Sequence, residues 1–332
     1  MFFQDPYLRR ICANEGNALR LICERWRMAE QDFCELVDQW FQNFEPCDKE
    51  LAFKVIQHID YYSQEEFEKE LQSAWRKITQ RIRRYEGQRD RVFIILPDAN
   101  ADSASKHVYD ISKIWPIAEE QIIRVKDLRG RDDICDSVLI AFNDTHGTGR
   151  QFVVEMIEPL KNILQQNNLL FIAGITISSR ALEYFRYHVP GAVVIPEDSA
   201  IDVGDIFTLK EYRRLEELCS TVYPSHPMGF GNTGLLTAYY FQCPNNTLPI
   251  IWADGSNNAS DGNGYPWNPL FRYRSKTKGS RKSKSEECCP VFDRKTSLDF
   301  SDGEIKKINE ILDSWKCSKN VKHKIIQKLN HG

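Results

Sequence analysis

The amino-acid sequence predicts an α/β protein: a parallel sheet flanked by helices, with a helical region before it and a further C-terminal region after it. Three observations predict this. Four short apolar runs, Val92–Leu96, Val138–Phe142, Leu169–Ile175 and Ala192–Ile195, have the length and unbroken hydrophobicity of strands buried on both faces. Stretches with helical spacing, near Ser105–Ile114, Phe152–Leu164, Ser179–Tyr187 and Leu209–Cys219, separate and follow them, and strand–helix alternation builds a parallel sheet with right-handed crossovers. The second apolar run ends on a carboxylate and then a glycine-rich turn before the next helix, the usual place for a ligand in such a sheet.

The elements follow in order. Residues 1–90 read as helical throughout. Phe33, Leu36, Val37, Trp40, Phe41 and Phe44 recur at three- and four-residue steps along one face, and Leu51, Val55, Ile56 and Ile59 stripe a second helix. Ser63 with Glu66 forms a capping box that opens a third, striped by Leu71, Trp75, Ile78 and Ile82. From Arg91 the period changes to the α/β core, 91–220, whose first strand stops at the turn-forming Pro97-Asp98-Ala99-Asn100. After about Thr221 the alternation ends, which sets off 221–332 as a third region. Leu235–Gln242 and Pro249–Trp252 read as two further strands. Gly231–Gly234, Asn245-Asn246 and 253–268 read as long ordered loops. A last helix begins near Ser301, with Glu304 at its cap and Ile305, Ile308, Ile311 and Leu312 along it. No internal repeat is present.

Composition narrows the function. A chain of 332 residues has room for about two domains and a large core. Its net charge of −3 gives no global attraction to nucleic acid or membrane. The longest apolar stretch, Leu169–Ile175, is too short to span a bilayer, and the first residues lack a basic region followed by an apolar core, so a cytoplasmic protein with no membrane partner is expected. The ten cysteines have no CxxC pairing and are expected to be reduced core residues. Cys288, Cys289, Cys317 and His323 match no zinc-module spacing, so no protein metal site is expected from them.

The segment Leu139–Gln151 holds the clearest chemistry. Gly147, Thr148 and Gly149 let backbone N–H groups converge at the N-terminus of a helix running from about Arg150 to Leu164, a place suited to a phosphate, and Asp144 stands beside it as an acceptor for hydroxyls. This pattern resembles the 5-phosphoribosyl-1-pyrophosphate (PRPP) signature of type I phosphoribosyltransferases. Aligned with it, Asn143 and Asp144 occupy the acidic pair, Thr145 and His146 the variable pair, and Gly147, Thr148, Gly149, Arg150 and Gln151 the phosphate loop. Asn143 stands where the signature usually has a carboxylate. The resemblance implies Asp144 with Asn143 at the ribose hydroxyls and Thr145 and the loop on the phosphate. It also implies a second nest for the departing pyrophosphate after the first strand, where Asp102, Ser103, Ser105 and Lys106 lie, and a Mg2+ cofactor for the leaving group. A mobile flap is implied over Ile122–Asp136, which includes Arg124, Lys126, Arg129 and Arg131. A C-terminal hood is implied as well, with Trp252, Trp267, Tyr265, Phe271 and Asn245 as its base-contacting candidates, although such aromatics are more often local core.

The wider pattern, with Trp40, Tyr61-Tyr62-Ser63, the signature strand, Asn245–Trp252 and Trp267–Phe271, is similar to the PRTase-CE family, phosphoribosyltransferase-like proteins of bacterial conflict systems that include retron-associated effectors. The resemblance implies a type I phosphoribosyltransferase-like fold and a role in antiphage defence beside a reverse transcriptase, its multicopy single-stranded DNA and a small winged-helix partner. Two basic stretches bear on partners: 76–91, with Arg76, Lys77, Arg81, Arg83, Arg84, Arg89 and Arg91, and 272–284, with seven cations and no acid. Contact with nucleic acid through them would weaken steeply with salt, whereas the ordinary state of such a run is a solvated face. Two readings follow. One is a Mg2+-dependent enzyme acting at ribose C1 of PRPP or a nucleotide; the other is a catalytically inactive PRPP or nucleotide sensor in a nucleic-acid-containing complex. A P-loop nucleotidase fits poorly, since no Lys-Ser/Thr pair follows Gly149. The acceptor and the oligomeric state, monomer or oligomer, are not specified by the sequence.

Overall fold

The computed structural model describes residues 1–14, 16–83, 91–98, 101–128, 131, 134–254 and 267–271, with 101–107 described in backbone only. Met1–Ser275 forms one compact unit and Lys276–Gly332 another, and the description below concerns the first. The final helix expected from Ser301, the basic stretch 272–284, the cysteines after Cys243, Tyr265 and Arg129 lie outside the described residues.

Helices α1 (Pro6–Asn14), α2 (Gly16–Arg25), α3 (Glu30–Phe41) and α4 (Lys49–His58) come first, followed by a short strand β1 (Asp60–Tyr62) and the long helix α5 (Gln64–Ile82). Phe33, Val37, Trp40 and Phe41, striped along α3, are all buried, as is Phe44 just after it. Ser63 caps α5 as expected, its hydroxyl accepting from Glu66 N–H while the Glu66 carboxylate accepts from Ser63 N–H. Among its described residues the N-terminal region consists of helices joined by turns, with β1 as its strand. Three residues are too few to show a strand period.

The central sheet contains β2 (Val92–Leu96), β3 (Ile122–Arg124), β4 (Val138–Phe142), β6 (Leu169–Ala173) and β8 (Val193–Ile195), all parallel, in the order β3-β2-β4-β6-β8. Its helices are α6 (Ala101–Ile114), then α7 (Arg150–Phe152) running on through a π turn (Val153–Ile157) and a 3-10 turn (Glu158–Leu160) into α8 (Lys161–Leu164), and α9 (Ser179–His188). Pro159 explains the irregular middle: it has no N–H to give to the carbonyl four residues back, so the α ladder breaks there. Side chains alternate cleanly between faces. Phe93, Ile95, Leu139, Ala141, Leu170 and Ile172 pack with the 152–163 helical run and α9, while Ile94, Leu96, Val138, Ile140, Phe142 and Phe171 pack with α5 and Trp115. The chain is thus mixed α/β with a parallel sheet covered on both faces, as a phosphoribosyltransferase-like fold requires.

Three expectations are corrected. The stretch Ile122–Asp136, expected as a flap, begins instead as part of the sheet, because Ile122–Arg124 is its edge strand and Ile123, Leu128 and Ile134 are buried. Pro249–Trp252 is a helical turn, α12, and not a strand: Pro249 occupies its first turn, where a missing N–H costs nothing. Of Leu235–Gln242 only β9 (Thr237–Tyr239) is a strand, paired in parallel with β1. The remaining elements are a two-residue pair, β5 (Thr145–His146) with β7 (Thr176–Ile177), and the helices α10 (Val203–Ile206) and α11 (Leu209–Val222). Residues 3–59 and 203–271 contribute side chains to a single apolar core, in which the indole N–H groups of Trp40 and Trp267 both donate to the Ile250 carbonyl, at 2.7 and 2.9 Å.

Candidate functional site

The strand order reverses between β2 and β4, and the crevice beyond their carboxyl ends is the standing ligand position of such sheets. Here β2 runs into Pro97-Asp98 and β4 into Asn143-Asp144. The chain then makes the short β5 rung and turns at Gly147–Gly149. Gly149 takes a left-handed conformation with φ +74° and starts α7, and Val153 N–H donates to its carbonyl at 3.0 Å. Among the described residues the N–H groups of Gly147, Thr148 and Gly149 form no hydrogen bond. Three amides at a helix N-terminus, two of them on glycine, make a nest for an anion. Gly147 lies so close to Asn246 that a Cβ would strike its side chain, which fixes one wall of the turn.

Asp144 is 7% exposed and firmly held. One carboxylate oxygen accepts from Thr145 N–H at 2.7 Å, the other from Gln242 Nε2 at 3.0 Å, and its carbonyl accepts from the N–H groups of Ile175 and Thr176 at 3.0 Å each. The Tyr239 hydroxyl lies 3.1 Å from that carbonyl, 2.8 Å from Thr145 Oγ1 and 3.0 Å from Thr176 Oγ1; burial raises its pKa well above the ordinary value, so it stays a neutral phenol. Asn143 points elsewhere. Its Nδ2 donates to the Thr145 carbonyl at 2.8 Å and braces the turn, a bond a carboxylate could not make. His146 is 1% exposed, with Nε2 against the Ala173 carbonyl at 3.0 Å and its ring edge-on to Phe152 and Phe185. Burial pushes its pKa down to about 4, so the ring is neutral and Nε2 carries the hydrogen.

Asn143, Asp144, Thr145, His146, the Gly147–Gly149 turn and Gln242 line a cleft of about 290 Å³ with Pro97, Gln151, Glu155, Phe230, Cys243, Asn245 and Asn246. The structure brings together Asn143, Asp144, Thr145, Gly147, Thr148, Gly149 and Gln151 of the expected site. Gln151 Nε2 donates to Glu155 Oε1 at 3.0 Å, and Arg150 is exposed and does not line the cleft. Asp102, Ser103, Ser105 and Lys106 lie in the first turns of α6, and their side chains are outside the described residues. Of the hood candidates, Asn245 lines the cleft, whereas Trp252, Trp267 and Phe271 are buried in the core shared with α3. Sequence reasoning missed Gln242, Phe230 and Glu155. Only Glu155 had a local signal, at helical spacing from Gln151.

A larger groove of about 840 Å³ runs beside α3, but its acidic groups already have partners: Glu30 pairs with the Met1 amino group, and Asp38 accepts from the Gln4 and Asp5 amides. No group of three or more His, Cys, Asp or Glu side chains that could hold a metal ion occurs among the described residues, and no helix among them is long and apolar enough to cross a membrane.

A family model matches residues 37–272, which takes in α5, the whole sheet, the Asp144 loop and the hood as far as Phe271. The chain belongs to the PRTase-CE family. No curated protein and no solved structure matches it. For this PRTase-CE protein, membership suggests a phosphoribosyltransferase-like function, and the match includes both Asp144 and the Gly147–Gly149 nest.

Proposed function

We propose that this PRTase-CE protein binds the ribose 5-phosphate part of PRPP or a nucleotide and transfers or cleaves at its C1 with Mg2+, as the effector of a bacterial antiphage system of the retron type. The observation that carries the reading is the meeting of Asp144 with the unengaged amides of Gly147, Thr148 and Gly149 in one cleft at the switch point of the sheet. The nest takes the 5-phosphate and Asp144 accepts from the ribose hydroxyls, which holds the sugar while positive charge develops at C1. The donor set fits a Mg2+ brought in by the substrate, since that ion needs one or two carboxylates beside substrate phosphates, and Asp144 and Glu155 line the cleft. Bound there, Mg2+ would offset the charge gathering on a diphosphate leaving group. The cleft's described lining has no lysine or arginine. Lys106 and its neighbours on α6 are the proposed second nest.

Purified full-length protein incubated with PRPP and nucleotides in Mg2+ tests this, with release of pyrophosphate or free base as the readout. The expected result is turnover that falls roughly a hundredfold or more in Asp144→Asn, with cellular toxicity lost in parallel. Equal toxicity and turnover of that variant would sink the reading. A second reading, an inactive sensor acting beside a reverse transcriptase, its single-stranded DNA and a winged-helix partner, is favoured by Asn143, which serves the turn and leaves one carboxylate where two are usual. Binding of PRPP without any turnover, measured by calorimetry in Mg2+, would select it.

A further inference from the structure

The acid that the signature pattern leads one to expect beside Asp144 is absent, and the neighbour it does have comes from the hood. Tyr239 and Gln242 close a tight turn with two reciprocal backbone bonds, Tyr239 N–H to the Gln242 carbonyl at 2.9 Å and Gln242 N–H to the Tyr239 carbonyl at 3.2 Å. That one turn holds Asp144 at two points: the Gln242 amide on the carboxylate and the Tyr239 hydroxyl on the carbonyl. Asn143 faces the Thr145 carbonyl instead. We propose that Gln242 is the positioning residue for Asp144, an amide from the hood that fixes the carboxylate toward the ribose hydroxyls in the role a second acid would otherwise share. This rests on the ribose phosphate reading above.

The amide has a consequence that an acid would not. Two carboxylates about 3 Å apart cannot both stay ionised near neutral pH, and the pair then titrates in coupled steps. A carboxylate–amide pair keeps one permanent charge and one permanent donor. Among the described residues the other titratable groups at or beside the cleft are Tyr239 and His146, both buried and neutral, Cys243, whose thiol burial also holds neutral, and Glu155, which is bonded to Gln151. Tyr239 and His146 do not titrate between pH 5 and 8, and Glu155 is common to every variant compared.

The test uses full-length wild type, Gln242→Glu and Gln242→Ala, with calorimetric titration of ribose 5-phosphate and of inorganic phosphate from pH 5 to 8. Each variant is read as a ratio to wild type at the same pH, because the phosphate itself titrates near pH 6. Gln242→Ala should weaken ribose 5-phosphate roughly tenfold, the scale of one hydrogen bond to a charged group, and leave inorganic phosphate unchanged. Gln242→Glu should match wild type at pH 5, where the added carboxyl is protonated and still donates to Asp144, and should lose affinity as pH rises. A pH-independent Gln242→Glu ratio, or equal loss of both ligands in Gln242→Ala, overturns the proposal while the functional reading stands. Failure of wild type to bind ribose 5-phosphate overturns both.

Discussion

Gly147 has no room for a side chain. The Asn246 amide that a Cβ would meet is itself buried and donates to the Phe230 carbonyl at 2.9 Å, so it cannot swing aside without breaking that bond. Gly147→Ala should therefore destabilise the fold by about 1–3 kcal/mol, the usual cost of overpacking, as read by urea unfolding. Adding Asn246→Ala should recover part of the loss, and strict additivity of the two changes would count against the contact. His146 predicts a pH effect whose sign follows from burial. Its folded pKa, about 4, lies below the ordinary value of 6.5, so the unfolded chain binds more protons between those values and stability is lost as pH falls. Between pH 7 and 5 the loss should be on the order of 2 kcal/mol. A histidine ring signal by NMR that stays neutral to below pH 5 would confirm the cause, whereas a midpoint near 6.5 for all seven histidines would refute it. At this scale the sequence showed the glycines, Thr148 and Asp144, because a phosphate turn needs them in one short stretch. Gln242 was not legible: it meets Asp144 from 98 residues away, and no local period encodes such a meeting.

Elements were legible in proportion to their length. The stripe on α3 and the capping box on α5 read correctly because a helix of several turns repeats its signal, and the buried strands read correctly because sheets covered on both faces leave continuous apolar runs. Pro249–Trp252 misled because four apolar residues fit either a strand or one helical turn, and tertiary packing decided. What packs there is Trp40, buried against α12 with its indole N–H on the Ile250 carbonyl. Trp40→Ala should cost about 3–5 kcal/mol, as large-to-small changes of buried aromatics do. Trp40→Phe should cost far less, since Trp267 still donates to the same carbonyl and no acceptor is left bare. Equal losses in the two variants, measured by chemical denaturation, would show that the hydrogen bond and not the ring volume matters.

Across Met1–Ser275 two of the three apolar cores meet at one ladder. On β9, Ala238 packs in the core built from residues 3–59 and 203–271, while the next residue, Tyr239, packs in the core under the central sheet. On β1, Tyr61 packs against the first core and Tyr62 against the second. The period of two along paired strands thus joins the N-terminal helices and the hood to the sheet, and the same Tyr239 reaches the Asp144 loop. Because both cores draw side chains from this one ladder, the helices of residues 6–58 and the strands of the sheet should unfold together. Hydrogen exchange should then give the most protected amides of α3 and of β4 the same opening free energy, and Trp40→Ala should lower both equally. If α3 instead exchanges at a lower free energy while β4 keeps its protection in the variant, the ladder does not couple the cores, and damage to the N-terminal helices would leave the grip of the Tyr239–Gln242 turn on Asp144 untouched.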